Sequence, residues 1–206
     1  MLNLKNIEFG IADSERSLIA LYRLQHKVFV EENQYIINID ENSILKDLWD
    51  ITSAKYIYVK NGNKIIGGGR NIYNSEIGFR VSSSINLNNF FSNLDKVCEI
   101  SGLAVVKEFR HYGIGNIIQY LRILIAINEG MNHIIASCYP SSSIHFEQMG
   151  FTIKLPSFEY KQYKTNQNSV FLCFNCTDSK SIKKMEKYFK DLLPEEIHLK
   201  IKKQIK

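Results

Sequence analysis

Between Ser14 and Val30 the apolar residues Leu18, Leu21, Tyr22, Leu24, Val28 and Phe29 recur at helical spacing, and Asp13 or Ser14 is placed to cap the helix they predict. Residues 31–53 are polar and irregular and read as a loop. The runs KYIYVK (55–60) and KIIGGGR (64–70) are strand-like and flank Asn61-Gly62, a strong hairpin signal. The pattern then predicts a short strand over 76–81, a short helix over 85–95 and a strand over 96–106 (KVCEISGLAVV). An apolar helix over 116–128, a strand over 133–139 and a short helix over 141–149, ended by Gly150, follow. Late strands are expected at 151–153, 158–163 and 169–176, then an amphipathic helix over 181–193. Helices alternating with strands, with hairpins at both ends, define a single α/β (α+β) domain around a mixed sheet.

Composition limits the function classes. With 45% hydrophobic and 12% aromatic residues, the 206-residue chain can bury one sizeable core. No apolar run approaches the ~20 residues of a membrane span. The stretch MLNLKNIEFG lacks the basic-then-apolar pattern of a secretory leader, so a cytoplasmic location is expected. Nine lysines between Lys180 and Lys206 face only Glu186, Asp191, Glu195 and Glu196, so this segment carries the whole net charge of +5. A solvated helix face and a surface for an acidic partner both account for it. No basic stripe interleaved with aromatics points to nucleic acid. Cys173 and Cys176 form C-x-x-C inside the strand-like VFLCFNC, with no second pair to complete a metal site. These two, Cys98 and Cys138 therefore read as free core thiols, and no metal is expected.

The candidate chemistry centres on EFRHYGIGN (108–116), where a strand meets a helix. A helix N-terminus offers unpaired N–H groups and partial positive charge, and Gly113 and Gly115 remove side chains that would keep an anion away. Arg110 and His111 add donors at the rim. Neither a Walker A ending nor a dinucleotide fingerprint is present. A pyrophosphate cradle and a tight strand-to-helix connection both fit these residues.

LAVVKEFRHYGIGN resembles motif A of the GNAT acyltransferase superfamily, and SSSIHFEQMGF resembles its last short helix, with Phe146 and Gly150-Phe151 in the expected places. The resemblance implies a GNAT-like mixed, splayed central sheet flanked by helices, one domain over 1–206. Within it, 1–95 would form the acceptor side, 96–176 the thioester-binding half and 177–206 a basic C-terminal helix. The donor would be acyl-CoA, or the phosphopantetheine of an acyl carrier protein. Leu103, Ala104, Val105, Arg110, His111, Tyr112, Gly113, Ile114, Gly115 and Asn116 would hold it, with backbone N–H groups near 103–105 stabilising the oxyanion.

LYRLQHKVFVEENQY, KDLWDITSAKYIYVKNGNKIIGGGR and EISG are similar to segments of the autoinducer (acyl-homoserine-lactone) synthases and the related N-acyl amino acid synthases. That resemblance makes Phe29, Tyr35, Asp47, Asp50 and Arg70 substrate-binding residues, and Glu99 and Ser101 catalytic ones. Glu99 would act as general base for the amine. Two arginines of the pattern are Gln25 and Gly102 here, and a tyrosine frequent in acetyltransferases is Phe146. Tyr139, Ser143 and His145 are the nearby substitutes as general acid.

The implied function is transfer of an acyl group to the amine of a small molecule, possibly an amino acid. Autoinducer synthesis and a non-catalytic GNAT-fold binding module are the alternatives. An acyl carrier protein would dock on the basic C-terminal helix.

Overall fold

The computed structural model describes residues 6–35, 42–161 and 168–205. Strands β1 (Ile7–Ile11), β2 (Ala54–Asn61), β3 (Lys64–Tyr73), β4 (Val97–Val105), β5 (His133–Cys138), β6 (Thr152–Glu159) and β7 (Asn168–Asn175) form one sheet in the order β1-β2-β3-β4-β5-β7-β6. Neighbours run antiparallel except β4 and β5, which are parallel. The helices are α1 (Glu15–His26), α2 (Leu48–Thr52), α3 (Ile114–Asn128), α4 (Pro140–Gln148), α5 (Ser179–Leu192) and α6 (Glu195–Gln204).

The hairpin, α1, α3 and the central strands lie where the apolar pattern predicts them. Four regions differ. The expected strand at 76–81 and helix at 85–95 are instead single 3-10 turns at Arg80–Ser83, Leu87–Asn89 and Leu94–Lys96. Asn86 and Asn93 accept from the amides of Asn88 and Asp95, giving the backbone a local partner in place of helix propagation. The expected loop 31–53 holds the end of a π-type turn (Lys27–Glu32) and α2; residues 36–41 of it lie outside the described residues. The strands expected at 151–153 and 158–163 are one irregular strand, β6, and residues 162–163 lie outside the described residues. Finally, β1 has no counterpart in the sequence-based expectation, and the basic C-terminal helix expected over 177–206 is two helices, α5 and α6, parted at Leu193-Pro194. Strand β1 and α6 support each other: Lys200 Nζ donates to Ile7 O at 2.7 Å and Gln204 Nε2 to Phe9 O at 2.6 Å. Two edge-strand carbonyls are thereby covered, and part of the basic segment is explained by packing.

The central feature is the seam between β4 and β5. Their register is confined to Val97↔His133, Cys98↔Ile134 and Glu99↔Ile135. Past Glu99, β4 stays with β3 as far as Gly67↔Val105, while β5 follows β7 to Cys138↔Val170. The strands diverge and leave a wedge. On β4, Gly102 and Leu103 together oppose the single Gly69 of β3, a β-bulge at the mouth of that wedge.

The run Gly67-Gly68-Gly69 brings helices close on both faces of β3. A Cβ at Gly67 would lie 2.8 Å from Ile114 of α3, and one at Gly68 would lie 2.2 Å from Leu21 of α1. Leu21 is fully buried, and the Ile57 carbonyl limits retreat at 3.0 Å from the same Cβ. Gly68→Ala is therefore expected to lower stability by roughly 1–3 kcal/mol, the range for overpacking. An unchanged denaturant midpoint would show that α1 packs more loosely than this geometry states.

Candidate active site

The wedge opens into a cleft of about 520 Å³ that passes through the sheet. Side chains alternate along β4, so Cys98 and Ile100 join the core under α3 while Glu99 and Ser101 face the opposite layer. On the α3 side the cleft is lined by Ile100, Leu103, Gln119, Arg122, Phe146 and Met149. On the other side it is lined by Gln25, Asp47, Asp50, Arg70, Arg80 and Ser101.

At the α3 end, Gly113 caps the helix with φ 78°, and Ile117 N bonds to Gly113 O at 3.1 Å. Gly115 and Asn116 line the cleft, and among the described residues no protein acceptor takes their amides. The donors expected to grip an anion are thus available. Arg110 is committed elsewhere: its guanidinium pairs with Glu32 of the π-type turn, and Nε donates to Val105 O at 3.0 Å. His111 and Tyr112 are exposed beside it and Ile114 is buried in the core; these three, with Arg110 and Gly113, do not line the cleft. Of the three residues expected at the oxyanion, Leu103 alone lines it. Ala104 packs with Leu24, Val28 and Val106, and Val105 packs into the main core.

The opposite wall is an ion cluster. Arg70, 3% exposed, donates through Nη1 to Asp47 Oδ1 at 2.8 Å, through Nη2 to Asp47 Oδ2 at 2.6 Å, and to Asp50. Its Nε donates to Ser101 Oγ at 3.0 Å. Tyr56 OH donates to Asp50 Oδ1 at 2.7 Å, and Arg80 Nε lies 3.3 Å from Asp47 Oδ2. Asp50 Oδ2 also accepts from Asp47 N at 2.8 Å, which ties the start of α2 to the cluster. Burial pushes the Asp47 carboxyl up, but the hydrogen bonds and charge of Arg70, helped by Arg80, outweigh it and hold the group below its usual range.

Glu99, expected to face the cleft as a base, does not line it. Its side chain turns under the 3-10 turn at 80–83, where Oε2 accepts from Val81 N at 3.4 Å. Burial raises its pKa against the opposing pull of Arg80. The layer holds Asp47, Asp50 and Glu99 against Arg70 and Arg80, three carboxylates to two guanidiniums. Burial raises the Asp50 carboxyl as well, against the opposing charge of Arg70.

Phe29 and Tyr35 also line the cleft, and the Tyr35 ring sits 5.3 Å from that of Tyr139. Gln25 donates to Gly102 O at 3.1 Å, so the two positions without the resembling families' arginines meet each other. Tyr139 and His145 line the cleft; Ser143 instead donates to Pro140 O at 3.0 Å. Cys138 lines it too, but burial pushes that thiol up to about 12, leaving it protonated at neutral pH. All four cysteines are free, and among the described residues no group of three or more His, Cys, Asp or Glu is placed to hold a metal. No helix among them is long and apolar enough to cross a membrane.

Arg80, Gln119 and Arg122 were missed in the sequence. Arg80 reaches the site from an unanticipated turn. The other two had a signal: Asn116, Gln119 and Arg122 recur every third residue in an otherwise apolar helix, which places a polar stripe on one face.

A mixed sheet that parts between two parallel central strands, with an uncovered helix N-terminus at the opening, is a GNAT-like fold. Among solved structures, the chain is similar to FeeM, an N-acyl amino acid synthase from uncultured soil microbes. Identity is 16% over 84% of this chain and 91% of that one, with a TM-score of 0.67. It is also similar to MesI, a CoA-dependent acyl-homoserine lactone synthase, at 14% identity over 89% and 95% of the two chains and a TM-score of 0.69. BjaI, a CoA-dependent acyl-homoserine lactone synthase solved with SAM and isopentyl-CoA, gives 16% identity over 85% and 83% and a TM-score of 0.68. At these identities the likeness establishes the fold. No protein-family model and no curated protein sequence matches the chain.

Proposed function

We propose that this chain is an N-acyltransferase that moves an acyl group from a pantetheine thioester, as in acyl-CoA, to the amine of a small molecule. The observation that carries the reading is the open wedge between β4 and β5 with the unpartnered Gly115 and Asn116 amides at its end. A pyrophosphate on those amides would run the pantetheine arm along the wedge and bring the thioester to the bulge at Gly102–Leu103. Main-chain groups freed by the bulge would polarise the carbonyl. The acceptor amine would enter over Ser101, whose Oγ accepts from Arg70 and keeps its own proton to donate. Glu99 acts there as a positioning residue, setting Arg80 from below.

The neutral Gln25–Gly102 contact favours simple amide formation over lactone synthesis. The acceptor is enclosed by Phe29 and Tyr35, which suits a small molecule, an amino acid included. An acyl carrier protein remains a second possible donor, meeting the lysines of α5 that point to solvent.

A thiol-reactive dye tests the reading directly. Free thiol is expected only when an acyl-CoA or acyl carrier protein and an amine are supplied together. No release across a panel of donors and amines, by protein that still binds CoA, would replace the enzyme with a binding module. Mass spectrometry of copurifying molecules should find a pantetheine thioester or an N-acyl amine.

A further inference from the structure

The most unusual charge in the molecule is Arg122. It is 1% exposed, yet it lines the α3 side of the cleft. Arg70 and Arg80 have carboxylate partners, but among the described residues no carboxylate lies within ion-pair distance of Arg122. Its three acceptors are neutral: Ser101 O at 2.7 Å, Arg70 O at 3.5 Å, and Gln119 Oε1. Nε has none. A guanidinium carries five N–H donors and cannot accept, so part of its capacity is unspent. Burial without a counter-charge pulls its pKa down to about 9. Stitching two carbonyls at the β3–β4 bulge accounts for one nitrogen. It leaves unexplained why a buried cation, with its desolvation penalty, stands on the wall of a cleft.

Gln119 adds a second sign. Because Arg122 only donates, the Gln119 oxygen must face it, and the amide nitrogen is left as a donor. The remaining surface on this side is apolar, from Ile100, Leu103, Phe146 and Met149. The carboxylates that line the cleft, Asp47 and Asp50, stand on the opposite wall beside Arg70. The α3 side therefore offers an anion a buried cation with no competing counter-charge.

Resting on the acyltransferase reading above, we propose that the donor acyl group carries a carboxylate on its tail, as in the CoA thioester of a short dicarboxylic acid, and that Arg122 and Gln119 bind it. The apolar residues contact the intervening methylenes. A cleft of about 520 Å³ shared with the pantetheine arm and the acceptor limits the acyl group to a few carbons.

The test compares succinyl-CoA and glutaryl-CoA with butyryl-CoA and pentanoyl-CoA, with CoA as the control ligand, by calorimetry and by kcat/KM. The wild-type protein is expected to favour the carboxylated donors by at least about tenfold, the scale of one charge-assisted pair. Arg122→Met should abolish or reverse that preference while CoA affinity stays the same, and Arg122→Lys should retain part of it. A purely structural arginine would lower all four donors together. Should Arg122→Met fail to fold, Gln119→Leu keeps the carbonyl contacts and is expected to narrow the preference severalfold. Equal use of carboxylated and plain donors by wild-type protein that binds CoA overturns this proposal alone. Failure to bind CoA, with no thiol released from an acyl carrier protein either, overturns the acyltransferase reading and this proposal with it.

Discussion

Arg70→Met is expected to destabilise the protein by roughly 3–5 kcal/mol, the usual penalty for removing one member of a buried ion cluster. The loss comes chiefly from what remains. Half-buried Asp47 and buried Asp50 would keep their carboxylates with the Tyr56 hydroxyl as remaining side-chain donor and the Arg80 guanidinium as remaining counter-charge. Adding Asp47→Asn and Asp50→Asn to Arg70→Met should therefore recover part of the stability. Denaturant unfolding of the single and triple variants measures both effects, and equal midpoints for wild type and Arg70→Met would refute the cluster's structural role. The sign with pH follows from Asp47, whose pKa Arg70 depresses in the fold. Its contribution is fully present above the unfolded carboxyl value near about 3.9 and disappears as pH falls through the lower folded value. The gap between wild type and Arg70→Met should shrink in acid.

Gly115→Glu should weaken CoA binding at least about a hundredfold, since it puts a carboxylate where the pyrophosphate would sit on the helix N-terminus. The fold should tolerate it. A Cβ at Gly115 meets only Leu103 Cδ2, at 4.0 Å, and an acidic residue in the first turn suits the helix dipole. Gly113 separates the two kinds of effect. Its φ of 78° makes Gly113→Ala destabilising by roughly 1–2 kcal/mol, although no atom within 4 Å obstructs the new methyl. Calorimetry with CoA and thermal melting of both variants distinguish an anion site from a turn. Wild-type CoA affinity in Gly115→Glu would mean that the phosphates bind elsewhere.

The parts of this architecture that were legible in the sequence are those with local causes. The hairpin follows from Asn61-Gly62, α3 from a long apolar run, and the strand-to-helix turn from two glycines at a helix start. The Asp47, Asp50 and Arg70 contact came from family resemblance, and the structure brings the three together. What escaped has distant causes. The strand β1 is short, and α6 docks across almost the whole length of the chain to reach it. The strand pattern placed Glu99 just before the glycine turn but could not say how deep it lies, because the 3-10 turn covering it is held by Ser82, whose Oγ accepts from Phe79 N, and by tertiary packing. Arg122 was missed although it belongs to a polar stripe on an apolar helix. Its lack of a counter-charge is a property of the folded interior.

The seam at 97–99 and 133–135 has a mechanical consequence. Two plates of sheet are welded along three rungs and part beyond them, with α3 packed on the β2–β4 plate and α4 on the β6–β7 plate. A donor lying in the gap, with amide groups along its arm, would serve as a temporary strand that both plates share. On the acyltransferase reading, the loaded protein would be one continuous sheet, and occupancy would stiffen the scaffold that aligns the reacting groups.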